Sequence, residues 1–204
     1  MPVWIPRWTN VNIYDARIRA GKALAASYPV EADLVTGVPD SGLAAAMGYA
    51  QACGLPYRLA ISQKSDYVGR TFIKPTQKER QSAVHLKLSV LSSVVKGKRL
   101  VLIDDSIVRG TTMASLIRML KDAGATEVHV RISSPSFSFP CYYGTDVPSN
   151  DQLIASSHTA AEICASIGAD PLGYMKLEDL KQMTGDLPLC KACFDQSLPC
   201  ITLP

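Results

Sequence analysis

Leu100-Val-Leu-Ile-Asp-Asp-Ser-Ile-Val-Arg-Gly-Thr-Thr112 contains three pieces in a row. Residues 100–103 are a short apolar run, long enough for a buried parallel strand. Asp104 and Asp105 stand where that strand should end, and residues 106–112 are small, polar and glycine-bearing. A helical pattern follows over 113–120. Two carboxylates at a strand's carboxyl end, then a tight loop opening a helix, suit one kind of ligand. Loop amides and the unpaired donors of a helix start form an anion site. Ser106, Thr111 and Thr112 add hydroxyls, and Gly110 lets the backbone approach the anion. Carboxylates repel a phosphate, so Asp104 and Asp105 should face sugar hydroxyls or a divalent cation. A ribose 5-phosphate carries both a diol and a phosphate. The plainer reading, an acidic strand end before an ordinary helix cap, explains fewer of the thirteen residues.

The same grammar occurs upstream. Residues 33–37 read as a strand, 38–42 (Val-Pro-Asp-Ser-Gly) as a sharp turn, and 43–53 as an alanine-rich helix ended by Gly54 and Pro56. This turn is a second free helix start, with Asp40, Ser41 and Gly42 at its apex. It reads equally as a capped strand-to-helix connection. A helix over 15–26 precedes it, and a strand is expected over 57–61. Strands are also expected at 86–90, 127–133 and 172–175, with residues 94–97 leading into the central strand. The alternation predicts an α/β fold, a mostly parallel sheet flanked by helices, whose ligands collect at the strands' carboxyl ends.

The totals exclude several classes. A chain of 204 residues suits one domain with a substantial core, and 47% hydrophobic against 19% charged residues describes a globular chain. A net charge of +3 with no basic block argues against nucleic acid. No apolar run approaches a membrane span, and residues 1–8 lack the form of a signal peptide, so a cytoplasmic enzyme is expected. The six cysteines then read as thiols or metal ligands rather than disulfides.

Residues 62–82 form a polar connection of a length that is uncommon unless functional. It carries Lys64, Arg70, Lys74, Lys78 and Arg80 and a glycine hinge at Gly69. Either it is a solvated excursion or a lid that closes over a polyanion. His129 lies in an alternating strand and should be structural, facing out of the sheet; His85 and His158 have no evident partner. After residue 134 the pattern loosens, with short helices expected at 151–155, 159–167 and 176–184. Cys53 and Cys164 are expected to be buried in helices.

Residues 100–112 resemble the phosphoribosyl pyrophosphate (PRPP) loop of type I phosphoribosyltransferases, most of all that of the amidophosphoribosyltransferases. The resemblance implies that Asp104 and Asp105 hold the ribose 2′- and 3′-hydroxyls and a magnesium ion. It implies that Ser106, Ile107, Val108, Arg109, Gly110, Thr111 and Thr112 cradle the 5′-phosphate. Asp40, Ser41 and Gly42 would face the pyrophosphate, with Ser41 helping to bind magnesium. Residues 67–73 (Tyr-Val-Gly-Arg-Thr-Phe-Ile) look like the family's flexible loop, in which Arg70 and Lys74 would cover the pyrophosphate. One departure is Lys64-Ser65-Asp66, where the family has Lys-Asn-Arg.

The implied reaction is phosphoribosyl transfer from PRPP to ammonia, giving 5-phosphoribosylamine and pyrophosphate, the first step of purine nucleotide synthesis. A nucleobase phosphoribosyltransferase and a non-catalytic PRPP-binding regulator are the alternatives. The resemblance divides the chain into an irregular segment (1–12), a transferase core (13–135) and a hood with a cysteine-bearing tail (136–204). It matches Cys141, Cys190 and Cys193 to ligands of a 4Fe–4S cluster, which needs a fourth thiolate; Cys200 is the candidate. A cluster, a zinc ion or three reduced thiols all fit the spacing. The family's amino-terminal cysteine and glutaminase domain have no counterpart, since Pro2 follows Met1 and the first cysteine is Cys53. Ammonia would then come from a separate or cleaved glutaminase. A homo-oligomer is expected, with neither nucleic-acid nor membrane partners.

Overall fold

The structure is a computed structural model and describes residues 11–63, 88–141, 149–185, 187 and 189–197. Its centre is a four-stranded parallel sheet. In chain order the strands are β1 (Leu34–Gly37), β4 (Arg99–Asp104), β5 (Glu127–Ile132) and β6 (Leu172–Tyr174), and they lie side by side in that order. A separate antiparallel pair joins β2 (Ile61–Gln63) to β3 (Leu88–Val90). The helices are α1 (Ile13–Ser27), α2 (Leu43–Cys53), the single turn α3 (Ser92–Val95), α4 (Thr111–Asp122), α5 (Ala160–Ile167), α6 (Leu180–Thr184) and α7 (Ala192–Asp195).

β4 shows why the sheet must be covered twice. Side chains alternate across a strand, yet Leu100, Val101, Leu102 and Ile103 are all fully buried. Leu100 and Leu102, with Val128, Val130 and Ile132 of β5, pack on Met113, Leu116, Ile117 and Leu120 of α4 and on Ile163 and Ile167 of α5. Val101 and Ile103 face the other way, into Ala20 and Leu24 of α1 and Ala45 and Tyr49 of α2. Each large side chain so buried contributes roughly 1.5–3 kcal/mol. α5 is held at its start by a reciprocal cap, Thr159 with Glu162.

Burial of both faces corrects the reading of β5. His129 and Arg131 alternate with valines, but they are only 6% and 3% exposed, so neither faces solvent. His129 Nε2 lies 2.8 Å from Glu127 Oε2. The Arg131 guanidinium stands over the Tyr28 ring, 5.5 Å from its centroid, and donates to the carbonyls of Val130 and Pro171. A polar residue in alternation marks a solvent face only where no helix covers it.

Other expectations need correcting. The strand at 57–61 is not continuous. Tyr57 makes one parallel bridge to Val35, while Arg58 N–H donates to Val35 O and Ala60 N–H to Thr36 Oγ1. The ladder proper starts at Ile61 and runs antiparallel. Residues 92–95 make a helical turn before β4. The expected helix at 151–155 is two 3-10 turns, Asn150–Gln152 and Ile154–Ser156. Residues 177–179 form another before α6. Cys53 is exposed because it is the last residue of α2; Cys164, on α5, is half-buried beside the fully packed Ile163. Residues 1–10, most of the 62–82 connection, His85 and Cys200 lie outside the described residues.

α1 and α2 touch backbone to backbone. A Cβ on Gly21 would overlap Ala45 O, and one on Gly48 would overlap Ile18 O. Overpacking of this kind costs about 3 kcal/mol. Gly21→Ala and Gly48→Ala should each lower the urea midpoint by that equivalent, whereas Gly97→Ala, where a Cβ meets open space, should be limited to the smaller strain of its positive φ.

Candidate active site

The site forms where β1 and β4 end side by side. Thr36 pairs with Leu102 and Gly37 with Ile103, so both strands release their chains at the same level. From β1 the chain turns through residues 38–42. Val38 N–H donates to Ile103 O at 2.8 Å and Gly42 N–H to Val38 O at 2.9 Å. The peptide between Pro39 and Asp40 is cis. A Cβ on Gly42 would overlap Ile103 O, so only glycine lets this turn lie flat against the end of β4. Asp40 is exposed at the apex and Ser41 is half-buried.

That fit brings Ser41 Oγ within 3.2 Å of Asp104 Oδ1, across 63 residues of sequence. Asp104 is the last residue of β4 and is 8% exposed. The same Oδ1 accepts from Asp105 N–H at 2.8 Å, and Asp105 Oδ1 accepts from Ser106 Oγ at 3.1 Å. Burial pushes the Asp104 carboxyl up to about 7; the adjacent Asp105 charge adds to the rise, and the Asp105 amide and Ser41 hydroxyl oppose it. Ser133, just past β5, anchors the strand end: its N–H and Oγ both donate to Asp104 O, at 2.9 and 3.2 Å. No sequence signal marks Ser133, because the contact depends on the β4–β5 register.

Beyond Asp105 lies a cradle of amides. Among the described residues, no acceptor takes the backbone N–H groups of residues 106–113; on the carbonyl side, Val108 O accepts from Ile154 N–H and Gly110 O from Ala114 N–H, both at 2.9 Å. Gly110 caps α4 in the left-handed region at φ +78°. Ile107 is buried and holds the loop down, while Thr111 and Thr112 are exposed beside the free amides. Unsatisfied donors at the start of a twelve-residue helix favour an anion. Acidic side chains on one side and open amides on the other make a bipolar cleft, one that can hold a neutral diol or a cation against the carboxylates and an anion against the loop.

Arg70 and Lys74 fall outside the described residues, so the structure does not bring them to this cleft or away from it. The chain enters and leaves residues 64–87 from the paired positions Gln63 and Leu88.

In the tail, backbone bonds join the segment before Cys141 to Cys193. Ser138 and Phe139 donate their N–H groups to Cys193 O, both at 3.1 Å, and the Phe137 and Phe194 rings meet edge-on at 5.0 Å. Burial raises the Cys193 thiol, helped by the nearby Cys141 and Cys190. Among the described residues, no group of three or more His, Cys, Asp or Glu is arranged to hold a metal ion. Cys53 and Cys164 bond to Ala50 O and Ala169 O within their own surroundings. No helix among the described residues is long and apolar enough to cross a membrane.

Comparison with known proteins matches residues 8–133 to the phosphoribosyl transferase domain. The amidophosphoribosyltransferase of Bacillus subtilis is 50% identical over 196 residues, covering 93% of this chain and 41% of the relative. That of Archaeoglobus fulgidus is 50% identical over 194 residues, covering 93% and 42%. The chain thus spans about two-fifths of the length of these curated relatives. Among solved structures, the glutamine PRPP amidotransferase of B. subtilis, complexed with ADP and GMP, aligns with a TM-score of 0.82 at 50% identity, covering 93% of this chain and 43% of that one. An adenine phosphoribosyltransferase from Giardia lamblia shares the fold at 14% identity, with a TM-score of 0.50 over 76% of each chain. On the domain match and these identities together, the chain belongs to the phosphoribosyl transferase family.

Proposed function

We propose that this chain transfers the phosphoribosyl group of PRPP to ammonia, releasing pyrophosphate and 5-phosphoribosylamine. The observation that carries the reading is the bipolar cleft: the buried Asp104 and half-buried Asp105 beside a run of amides with no acceptor among the described residues. It has the polarity of a pentose with a diol and a phosphate. The names of the 50%-identical relatives point to the same donor and to an amino-group product.

In this reading residues 106–112 seat the 5′-phosphate on their amides and hydroxyls. The turn over Asp40, Ser41 and Gly42, on the neighbouring strand, takes the pyrophosphate. Asp104 and Asp105 accept hydrogen bonds from the ribose hydroxyls. The raised cost of ionising Asp104 also fits a divalent cation: Asp104, Asp105 and Ser41 would hold magnesium, whose chemistry is to offset charge on the departing pyrophosphate. Two carboxylates suffice, because magnesium takes its remaining ligands from phosphates and water. Attack by the nitrogen lone pair forms the C1–N bond as the C1–O bond to pyrophosphate breaks, and the amine then loses a proton to solvent. The protein's part is to hold both ends of the donor in line and to complement the charge that moves onto pyrophosphate. Arg70 and Lys74 cover that pyrophosphate.

The remainder of a longer polypeptide, or a separate chain, supplies the ammonia from glutamine. Cys141, Cys190 and Cys193 would supply three of the four thiolates that an iron–sulfur cluster needs, with Cys200 as the fourth. The protein works as a homo-oligomer.

The direct assay is ammonia- and magnesium-dependent pyrophosphate release from PRPP. Asp104→Asn with Asp105→Asn should reduce it by about 10²-fold or more, the scale for loss of preorganised charge contacts. An unchanged rate would overturn the assignment. A second expectation concerns stability of the ligand-free chain. In the unfolded state Asp104 ionises near 3.8, while in the fold it keeps its proton to about 7. The folded state therefore binds more protons between those values, and stability falls as pH rises from about 4 to about 7, by up to about 4 kcal/mol. Denaturant unfolding across pH 4–8 should show that fall in the parent and a flatter profile in Asp104→Asn.

A further inference from the structure

The amide cradle of residues 106–110 is held from outside, by a segment that lies about forty residues further along the chain. Three contacts from the two 3-10 turns at residues 150–156 reach it. Ile154 N–H donates to Val108 O at 2.9 Å. Gln152 Oε1 accepts from the Arg109 guanidinium. The Ile154 side chain walls Gly110, its Cδ1 standing 3.2 Å from where a Cβ would be. The segment is itself stiff. Leu153 is buried as an anchor, and Ser156 Oγ bonds back to Asn150 O and Leu153 O at 2.8 and 2.7 Å.

The consequence follows from peptide geometry. In a planar trans peptide the C=O and the N–H of the next residue point in opposite directions. Tying Val108 O to Ile154 therefore turns the Arg109 N–H away from the segment, onto the open side of the loop. On the other flank Gly110 O is taken by Ala114 N–H, which sets the Thr111 N–H in the same manner. The cradle amides are thus aimed before any ligand arrives, and one of the two fixings comes from residues 150–156.

Resting on the reading of residues 106–112 as the phosphate seat, we infer that residues 150–156 are a strap that aims the cradle, with Gln152 as a positioning residue acting through Arg109. Gln152 is not placed to touch the sugar or the reacting carbon; its partner is the exposed Arg109. Holding that side chain against the strap fixes the 108–110 backbone and keeps Val108 O on Ile154. The strap serves the 5′-phosphate end alone, because its contacts fall on residues 108–110 and none falls on the 38–42 turn.

The test measures two ligands on the full chain by calorimetry with magnesium present: ribose 5-phosphate for the cradle and pyrophosphate for the 38–42 turn. Gln152→Leu should weaken ribose 5-phosphate about 10-fold, the scale of one hydrogen bond to a charged group, and leave pyrophosphate within about 2-fold. Gln152→Glu keeps the acceptor and should restore ribose 5-phosphate binding. Arg109→Met should reproduce the loss, and Arg109→Met with Gln152→Leu should be no worse than either alone, since both remove one contact. Equal weakening of both ligands, additive losses, wild-type binding by Gln152→Leu, or no restoration by Gln152→Glu would each overturn the strap. Failure of the parent chain to bind ribose 5-phosphate is a different result: it overturns the phosphate-seat reading, and the strap's role with it.

Discussion

A carboxylate that the fold keeps at the end of a strand buried on both faces is the constraint on which this structure depends. Asp104 sits there because β4 is apolar for four residues and the helices on either side close over it. The interior penalises its charge, and the neighbouring Asp105 penalises it further. Four groups keep the strand end in place: Ser41 and the Asp105 amide on the carboxylate, and the Ser133 N–H and hydroxyl on the carbonyl. They come from three separate strand ends. Without all three strands in register Asp104 would swing into water and lose both its tension and its direction.

Topology places a second strand-to-helix turn beside the first. After β1 the chain crosses α2 and runs back along β1's outer edge, where Tyr57 bridges Val35. β4 lies on β1's other edge. The connections from these neighbouring strands therefore diverge, and divergence opens a crevice at their carboxyl ends. Strands lie about 4.8 Å apart in a sheet, so the 38–42 turn and the 106–112 loop flank one small space. A ligand with phosphates at two ends can meet both only because β1 and β4 are adjacent, and the bond from Val38 N–H to Ile103 O fixes that adjacency.

What could be read from the sequence was local. An apolar run, two acids and a glycine before a helix lie within thirteen residues, and each carries its own conformational signal. The parallel sheet followed from the alternation of short apolar runs with helical stretches. What could not be read was set by register and covering. His129 looked outward because alternation reports two faces without saying whether a second helical layer exists. Ser133 bonds to Asp104 through pairing 29 residues apart, and Ser41 through pairing 63 apart. Tyr57 to Ile61 has the composition of one strand but splits between a bridge to β1 and a ladder with β3. Gly21 and Gly48 are in ordinary helical stretches, and only the crossing of α1 with α2 makes a side chain there impossible.

The division of labour at the cradle also has a physical basis. A loop that must present amides cannot spend them on itself, so it has little internal hydrogen bonding with which to hold its shape. Its rigidity has to be imported. Ile107 provides part by burial, Gly110 part through its bond to α4, and the rest arrives from residues 150–156. Those residues lie beyond the 8–133 match to the transferase domain. The chemistry-bearing loop and the element that aims it are therefore specified by different parts of the chain, the first by a compact run of residues and the second by a fold that returns to it. The backbone part of that support, the bond from Ile154 N–H to Val108 O, carries no side-chain identity. A motif search finds the cradle readily, whereas its support shows only in three dimensions.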